Sequence, residues 1–247
     1  MAETNNAIQF SFQRFEKKYI ISSEQKEYIT KYIQEYMKPD KYPSYTLCNL
    51  YYDTDNYDLI RRSIEKPIYK EKIRLRSYGI PNDDNIVFIE IKKKYKGIVY
   101  KRRISAALKE AVNYLDFKEP LKLNDQIYNE INYSINFYNP KAKVFLAYDR
   151  TALYGIDVPS IRLTFDNNIR GREYDLNLKS GDYGENVLKG DQYLMELKLS
   201  YSIPVWMAHM LSELEIYPVS FSKYGNIYTK ILLTDIQNEA PQLIKAY

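Results

Sequence analysis

Three cations alternate along one short stretch of the sequence, KEKIRLRSYG. Lys72, Arg74 and Arg76 occupy every second position, and Ile73 and Leu75 lie between them. Because a β-strand sends alternate side chains to opposite faces, a strand here has one cationic and one apolar face. Arginine binds phosphate through its planar fork, and lysine binds it as a point charge. The stretch therefore indicates either a solvated strand edge or a surface that contacts phosphate.

Six further segments repeat this division into a charged and an apolar face. They are residues 9–21, 87–95, 98–104, 143–153, 160–168 and 193–201. The cations that fall on the charged face are Lys18, Lys72, Arg74, Arg76, Lys92, Lys94, Lys101, Arg103, Arg150, Arg162 and Lys198. The acids on that face are fewer, and they are Glu16, Glu90, Asp166 and Glu196. The predicted charged face is therefore strongly cationic.

Two arrangements of these strands are open. A flat sheet would bury its apolar face under helices and leave the charged face in water. Closing the strands into a barrel would instead place the cations in a tunnel, where a linear polyanion such as a triphosphate relieves their mutual repulsion. Carboxylates among so many cations suggest a divalent metal that also binds phosphate oxygens. The excess of cations on one face favours the barrel.

Helices are expected to cover the apolar side of these strands. A capping box of Ser22 and Gln25 begins the first helix, and Pro39 is expected to end it. Thr54 is expected to cap the second helix. The predicted later helices cover residues 54–64, 105–117, 124–139 and 203–216, with a last one after Ser222.

The overall composition limits the class of protein. A 247-residue chain that is 45% hydrophobic and 28% charged is globular, and no linker or repeat divides it, so one domain over residues 1–247 is expected. The net charge of +4 gives no diffuse field for nucleic acid. Cys48 is the one cysteine, and no apolar run is long enough to cross a bilayer, so a cytoplasmic protein is expected.

Eight segments in order resemble the polyphosphate polymerase domain of the vacuolar transporter chaperone complex, the VTC domain. This family belongs to the triphosphate tunnel metalloenzymes, which include the CYTH proteins. The segments are FEKKYII, LYYDTDNYDLI, KEKIRLRSYG, FIEIKKKYKGIVYKRRI, AYDRTAL, IRLTFD, LMELKLS and FSKYGNIY. The resemblance implies an α+β fold, an eight-stranded antiparallel barrel with helices outside. It also implies Mn²⁺ or Mg²⁺ as cofactor, and ATP and inorganic polyphosphate as substrates.

The resemblance also assigns roles to individual residues. The residues implied to bind substrate are Lys18, Arg61, Arg74, Arg76, Lys92, Lys101, Tyr148, Arg150, Arg162, Ser222 and Lys223. Lys72, Lys94, Arg103 and Lys198 are expected to join them because they fall on the same charged face. Catalysis is assigned to Lys18, Arg74, Arg76, Arg150, Arg162 and Lys223, and metal binding to Glu196 and secondarily to Glu90. Arg61 and Arg62 compete for one position. Ser220 stands where the family has a lysine, which weakens the case for one cation proposed at the tunnel entry.

Two other functions remain open at this stage. A triphosphatase of the same fold would use water in place of the acceptor phosphate. A non-catalytic receptor for polyphosphate or an inositol phosphate would need the cations but not Glu196. The sensing domain and membrane region of the eukaryotic complex are not expected in this chain, and neither is a nucleic-acid partner.

Overall fold

The strands pair into a single antiparallel sheet in the computed structural model, which describes residues 15–96, 98–200 and 202–231. The strands are β1 Phe15–Ser22, β2 Met37–Asp53, β3 Tyr69–Tyr78, β4 Ile86–Tyr95, β5 Ile98–Ala107, β6 Lys141–Gly155, β7 Arg162–Arg172, β8 Glu185–Asn186 and β9 Gln192–Leu199. Their order is β1-β9-β7-β6-β2-β3-β4-β5, and the short β8 pairs with β7. The predicted antiparallel α+β fold with eight long strands is confirmed.

Six α-helices accompany the sheet in the described part of the chain. They are α1 Ser23–Tyr32, α2 Asp58–Ile64, α3 Leu108–Phe117, α4 Gln126–Tyr138, α5 Val205–Glu213 and α6, which covers residues 223–231. The capping box of Ser22 and Gln25 begins α1 as predicted, whereas α1 already ends at Tyr32. The expected cap of α2 is wrong in part, because Asp53 accepts hydrogen bonds from the backbone N–H of Leu59 and Ile60, while Thr54 accepts only that of Asp58.

The outer face of the sheet is covered by helices, as expected. Around α3 and α4, a buried core contains Ile73, Leu75 and Ile89 together with Ile131 of α4. Around α1 and α5, a second core joins side chains of β1, β7 and β9, among them Phe165. The apolar positions that alternate with charged ones in the sequence therefore do form the face of the sheet that packs against the helices.

The inner face, defined here as the face that carries Arg74, Arg150 and Glu196, is curved back on itself. Lys92 of β4 lies 3.6 Å from the carboxylate of Glu16 on β1, although the two strands lie near opposite ends of the strand order. A flat sheet would hold these side chains far apart. The sheet therefore curves around its inner face in a tunnel-like way, although its two end strands are not joined.

The closure differs from a fully hydrogen-bonded barrel. β1 and β5 end the strand order, and no ladder joins them among the described residues. The segment before α6 contacts the free edge of β1 instead, where Val219 N donates to Lys18 O at 2.7 Å. Residues 9–14 of the predicted first strand, and residue 201 of the last, lie outside the described residues. At this seam an irregular segment and the Lys92–Glu16 ion pair thus lie where a β1–β5 ladder would close the barrel.

α6 departs from the expectation that every helix packs outside. Its Tyr224, Ile227 and Tyr228 share a buried cluster with Leu146 and Leu194, which project from the inner face. Gly171 of β7 has no side chain at this contact, and a Cβ there would overlap Ile227. α6 therefore fills one part of the inner face with apolar side chains, and the charged side chains occupy the rest.

Candidate functional site

Glu90 is the centre of the first charged cluster on the inner face. Arg74 of β3 donates to its carboxylate from Nε at 2.8 Å, and Arg74 Nη2 lies 2.7 Å away. Lys101 of β5 lies 2.7 Å from the other carboxylate oxygen, and Arg76 lies 3.7 Å away. Burial alone would raise the pKa of Glu90, but these cations outweigh it and hold the pKa at about 2. Three cations thus share one ionised carboxylate.

Asp166 is the centre of the second cluster and was not among the predicted site residues. Arg150 donates to both of its oxygens, at 2.6 and 2.7 Å, and Lys223 donates at 2.6 Å. Burial alone would raise the pKa of Asp166, but Lys223 and Arg150 lower it. The signal was available in the sequence, since Asp166 falls on the charged face, but nothing there showed that it faces Arg150 directly.

Tyr148 connects these two clusters. The Arg150 guanidinium lies 5.2 Å and the Lys223 ammonium 4.3 Å from the centre of its ring. Arg76 Nη2 donates to its hydroxyl at 3.4 Å. Burial would raise the pKa of Tyr148, but Arg150, Arg76 and Lys223 lower it. The structure therefore brings four of the predicted site residues together, which are Arg76, Tyr148, Arg150 and Lys223.

Glu196 forms the third cluster, on β9. Lys198 lies 2.8 Å from its carboxylate, and Lys18 lies directly across the β1–β9 ladder. Burial would raise the pKa of Glu196, but Lys198, Arg150 and Lys18 lower it well below its usual range. Opposite Glu196 on β7, the buried hydroxyl of Thr164 has no hydrogen-bond partner among the described residues.

These donors can be compared with the needs of a divalent metal. Across the part of the chain that the structure describes, no group of three or more His, Cys, Asp or Glu side chains could hold an ion. Mg²⁺ in phosphate-transferring sites is often held by one or two carboxylates together with substrate phosphates. Glu196 fits that mode, with the unpartnered Thr164 hydroxyl beside it. Glu90 fits it less well. Its Oε1 also has no hydrogen-bond partner of good geometry among the described residues, but the Arg74 and Lys101 cations each lie 2.7 Å from one of its oxygens.

A group of lysines lies beside these clusters. Lys72 donates to the Ser222 hydroxyl at 3.0 Å, and Lys18 donates to Phe221 O at 3.0 Å. Burial, together with Lys18 and Lys92, lowers the pKa of Lys72 to about 8, against the effect of Tyr51. Burial also lowers the pKa of Lys92. A bound anion would stabilise these crowded ammonium groups in their charged form.

The remaining predicted residues lie further out. Arg162 is at the rim, where it donates to Asp40 at 2.8 Å and keeps 45% of its side chain exposed. Lys94 and Arg103 are also exposed, and the Arg103 guanidinium covers the ring of Phe88. Arg61 and Arg62 are exposed on α2, with Arg61 near Tyr228 of α6 and Arg62 near Tyr138 of α4. Arg103 lies directly opposite Glu90 in the β4–β5 ladder, but in the described part of the chain no ion pair joins any of these five cations to Glu90, Asp166 or Glu196.

Comparison with protein families gives one match over most of the chain. Residues 13–232 match the family model described as the VTC domain. No curated protein sequence matches the chain significantly. No helix in the described part of the chain combines the length and apolar character needed to span a membrane.

Solved structures with a similar fold share little sequence identity with this chain. A Bacillus halodurans protein described as a candidate adenylate cyclase is 16% identical, with a TM-score of 0.53, over 85% of this chain and 95% of that one. A candidate adenylyl cyclase from Hippeastrum, described as having a dominant triphosphatase activity, is 13% identical, with a TM-score of 0.52, over 87% of this chain and 95% of that one. At these identities the likeness concerns the fold.

Proposed function

Because the chain belongs to the VTC domain family, which its residues 13–232 match, we propose that it is a polyphosphate polymerase. The enzyme transfers the γ-phosphate of ATP to the end of an inorganic polyphosphate chain. The same assignment makes ATP and polyphosphate its small-molecule partners.

The observation that carries this proposal is the excess of cations on a buried inner face. Arg74, Arg76 and Arg150 are largely buried, with 18%, 8% and 11% of their side chains exposed. Taking cations out of water is costly unless anions accompany them. The carboxylates of Glu90, Asp166 and Glu196 offset part of the cost of burying these cations, and in the proposed complex the negative charge of a triphosphate offsets the rest.

The arginines suit the demands of phosphoryl transfer, which asks a protein mainly for positioning and charge stabilisation. Glu90 and Asp166 fix the guanidiniums of Arg74 and Arg150 in one orientation. In the proposed complex these guanidiniums contact the β- and γ-phosphates and stabilise the charge that develops on the transferred group. Arg162 joins them by exchanging Asp40 for phosphate.

The lysines supply a path for the acceptor chain. Lys18, Lys72, Lys92 and Lys101 present ammonium groups near the clusters of Glu90 and Glu196. The terminal phosphate of the acceptor is already an anion, so the reaction needs no strong general base. It attacks the γ-phosphorus of ATP, the bond to the β-phosphate oxygen breaks, and ADP leaves.

A divalent ion, Mn²⁺ or Mg²⁺, belongs to the proposed reaction. Glu196 would hold it, with the Thr164 hydroxyl beside it. The ion would offset negative charge on the phosphate oxygens. Glu90 then acts as the counter-ion of Arg74 and Lys101 instead of a metal ligand.

A triphosphatase is the second candidate function. The Hippeastrum neighbour, which shares the fold, is described as having a dominant triphosphatase activity. In that reaction water replaces the acceptor, and inorganic phosphate leaves. The same three clusters would serve, since both reactions stabilise the same transferred group.

Incubation of the purified protein with ATP labelled at the γ-phosphate and with Mn²⁺ separates these functions. We expect labelled polyphosphate chains on a gel, with ADP as the other product. Free phosphate without chains would support the triphosphatase and contradict the polymerase. Binding of tripolyphosphate with neither product would support a receptor and contradict both enzymes.

A further inference from the structure

β2 places two neutral side chains directly opposite the paired arginines of β3. In the β2–β3 ladder Asn49 pairs with Arg76, and Tyr51 pairs with Arg74. Arg76 Nε donates to Asn49 Oδ1 at 2.9 Å, and Arg74 Nη1 donates to the Tyr51 hydroxyl at 3.1 Å. Asn49 is fully buried and Tyr51 is 7% exposed. Each arginine thus has its own neutral acceptor on the neighbouring strand.

These contacts complete the orientation of the guanidiniums. Glu90 binds the Nε and Nη2 edge of Arg74, and Tyr51 binds the remaining Nη1. For Arg76, Glu90 is more distant, at 3.7 Å, so Asn49 provides its shortest contact. Because a guanidinium is planar, acceptors on two sides determine its plane.

Because these acceptors are neutral, they orient the arginines without reducing the net positive charge of the cluster around Glu90. Arg74, Arg76 and Lys101 share the single carboxylate of Glu90, so this cluster keeps a positive excess. A second carboxylate on β2 would remove most of that excess and weaken attraction for an anion. An amide and a phenol accept the same hydrogen bonds without this penalty.

Both acceptors are themselves fixed by neighbouring elements. Asn49 Nδ2 donates to Leu146 O of β6 at 3.1 Å. The Tyr51 ring stacks on Tyr224 of α6, with centroids 4.6 Å apart, and Tyr224 donates to Asp53 at 2.9 Å. These contacts therefore hold the two acceptors, and through them Arg74 and Arg76, in fixed positions.

We propose that Asn49 and Tyr51 are positioning residues of the phosphate site, which set the directions of Arg76 and Arg74 and leave their charge available to the substrate. This assignment rests on the proposed function. It adds to that function two residues that act through the arginines, and neither contacts the reacting atoms itself.

Tyr51→Phe tests the assignment, with Tyr52→Phe as the matched control. Tyr52 is the next residue on the same strand, but it faces outward, where its hydroxyl donates to Asp116 at 3.1 Å. Affinity for inorganic tripolyphosphate is measured by calorimetry, and the melting temperature is recorded for each variant. We expect Tyr51→Phe to weaken binding about tenfold, the scale of one hydrogen bond to a charged group, and Tyr52→Phe to leave it within about twofold.

A double-mutant cycle separates positioning from a structural role. In an Arg74→Ala background, Tyr51→Phe should weaken binding no further, because the group it orients is gone. The same cycle with Asn49→Ala and Arg76→Ala tests the second pair. Unchanged affinity in Tyr51→Phe, or an equal loss with and without Arg74, would overturn the assignment. A wild-type protein that does not bind tripolyphosphate would refute the proposed function itself, and this inference with it.

Discussion

Glu90 is ionised because three cations surround it. The stability that it contributes to the fold therefore depends on pH. Its pKa of about 2 lies below the ordinary value of 4.5, against the effect of burial. A group whose pKa is lowered by folding stabilises the protein above its unfolded pKa. That contribution is present above pH 4.5 and is lost as the pH falls toward 2. The ion pairs of Glu90 should therefore persist until the pH nears 2, and their contribution to stability should be lost between about pH 4.5 and 2.

Replacing Glu90 should cost more stability than replacing an exposed acid. Glu90→Gln leaves Arg74, Arg76 and Lys101 without their shared anion, so we expect a loss of about 3 kcal/mol in the free energy of unfolding. Urea denaturation at pH 7 measures it. The control is Asp55→Asn, which breaks an exposed pair with Lys141. Equal stability of the two variants would contradict this account of Glu90.

Glu196 has a different predicted role, which is to hold the metal. Glu196→Gln should abolish most Mn²⁺ binding in the presence of tripolyphosphate, and turnover should fall at least about a hundredfold. Electron paramagnetic resonance of free Mn²⁺ gives the first readout, and the ATP assay gives the second. Glu185→Gln, on an 80% exposed side chain, is the control. Wild-type Mn²⁺ binding by Glu196→Gln would remove Glu196 from the metal site.

Three groups of the inner face titrate near the same pH. Burial lowers the pKa of Lys72 and of Lys101 to about 8, while Arg74 and Lys72 outweigh burial at Tyr51 and lower its pKa to about 8. As the pH rises through 8, both lysines lose positive charge and the phenol gains negative charge. Affinity for tripolyphosphate should therefore fall between about pH 7 and 9. The stability of the free protein should rise from about pH 8 to about 10, the ordinary pKa of these groups, because over that range the unfolded chain binds more protons than the folded one.

The measurement is a series of tripolyphosphate titrations from pH 6.5 to 9.5 at constant ionic strength. Tripolyphosphate itself becomes more negative as the pH rises, which alone would strengthen its binding to a cationic face, so a decline in affinity reports the protein. The Tyr51→Phe variant should keep the part of the decline due to the lysines. Affinity that is constant or rises with pH would contradict the direction assigned to these three groups.

At the scale of elements, β2 is the strand that sequence analysis missed. Its second half, Leu47–Asp53, is buried continuously, so it lacks the alternation that indicates a half-buried strand. Helices cover its outer side and α6 covers part of its inner side. Its first half contains Pro39 and Pro43, which usually argue against a strand, and the pairing with β6 is interrupted between Pro39 and Ser44.

α6 was predicted to exist but not to pack on the inner face. An apolar stripe shows that a helix buries one side, but it does not show against which surface. The links that fix α6 join distant parts of the chain, namely Tyr224 to Asp53 and Lys223 to Asp166. Contacts of that separation leave no local pattern in the sequence.

Tyr224→Phe tests how α6 is held. The variant removes one of four hydrogen-bond donors to the buried carboxylate of Asp53, so we expect a loss of about 1 to 2 kcal/mol in stability. Hydrogen exchange in residues 223–231 should rise more than in β4. Tyr217→Phe, on a 73% exposed ring, should change neither quantity. Unaltered exchange in α6 would show that apolar packing alone fixes the helix.

At the scale of the whole molecule, the division into a charged inner face and an apolar outer face was predictable from the sequence. Alternation within each strand carries that information, and the cations of β3, β4, β6 and β9 lie where it placed them. The seam was not predictable, because it depends on how far the sheet curves. Neither the pair of Lys92 with Glu16 nor the contact of Val219 with β1 is marked by residue type or spacing.

The small net charge of the molecule determines where a polyanion can bind. The chain has a net charge of only +4, so attraction for polyanions must come from the inner face and not from the whole surface. Buried charges are screened less by salt than exposed ones. Among substitutions, those on the inner face should consequently dominate binding, and exposed lysines on the helices should contribute little.

Calorimetric titration of inorganic tripolyphosphate tests the central claim, that the inner face binds a chain of phosphates, most directly. Wild-type protein, Arg74→Ala, Arg76→Ala and the exposed control Lys31→Ala are compared at pH 7, each with its fold verified by circular dichroism. We expect saturable binding by wild type and by Lys31→Ala, and a loss of at least about tenfold in affinity in each arginine variant. Equal affinity in all four proteins would contradict the site described on the inner face.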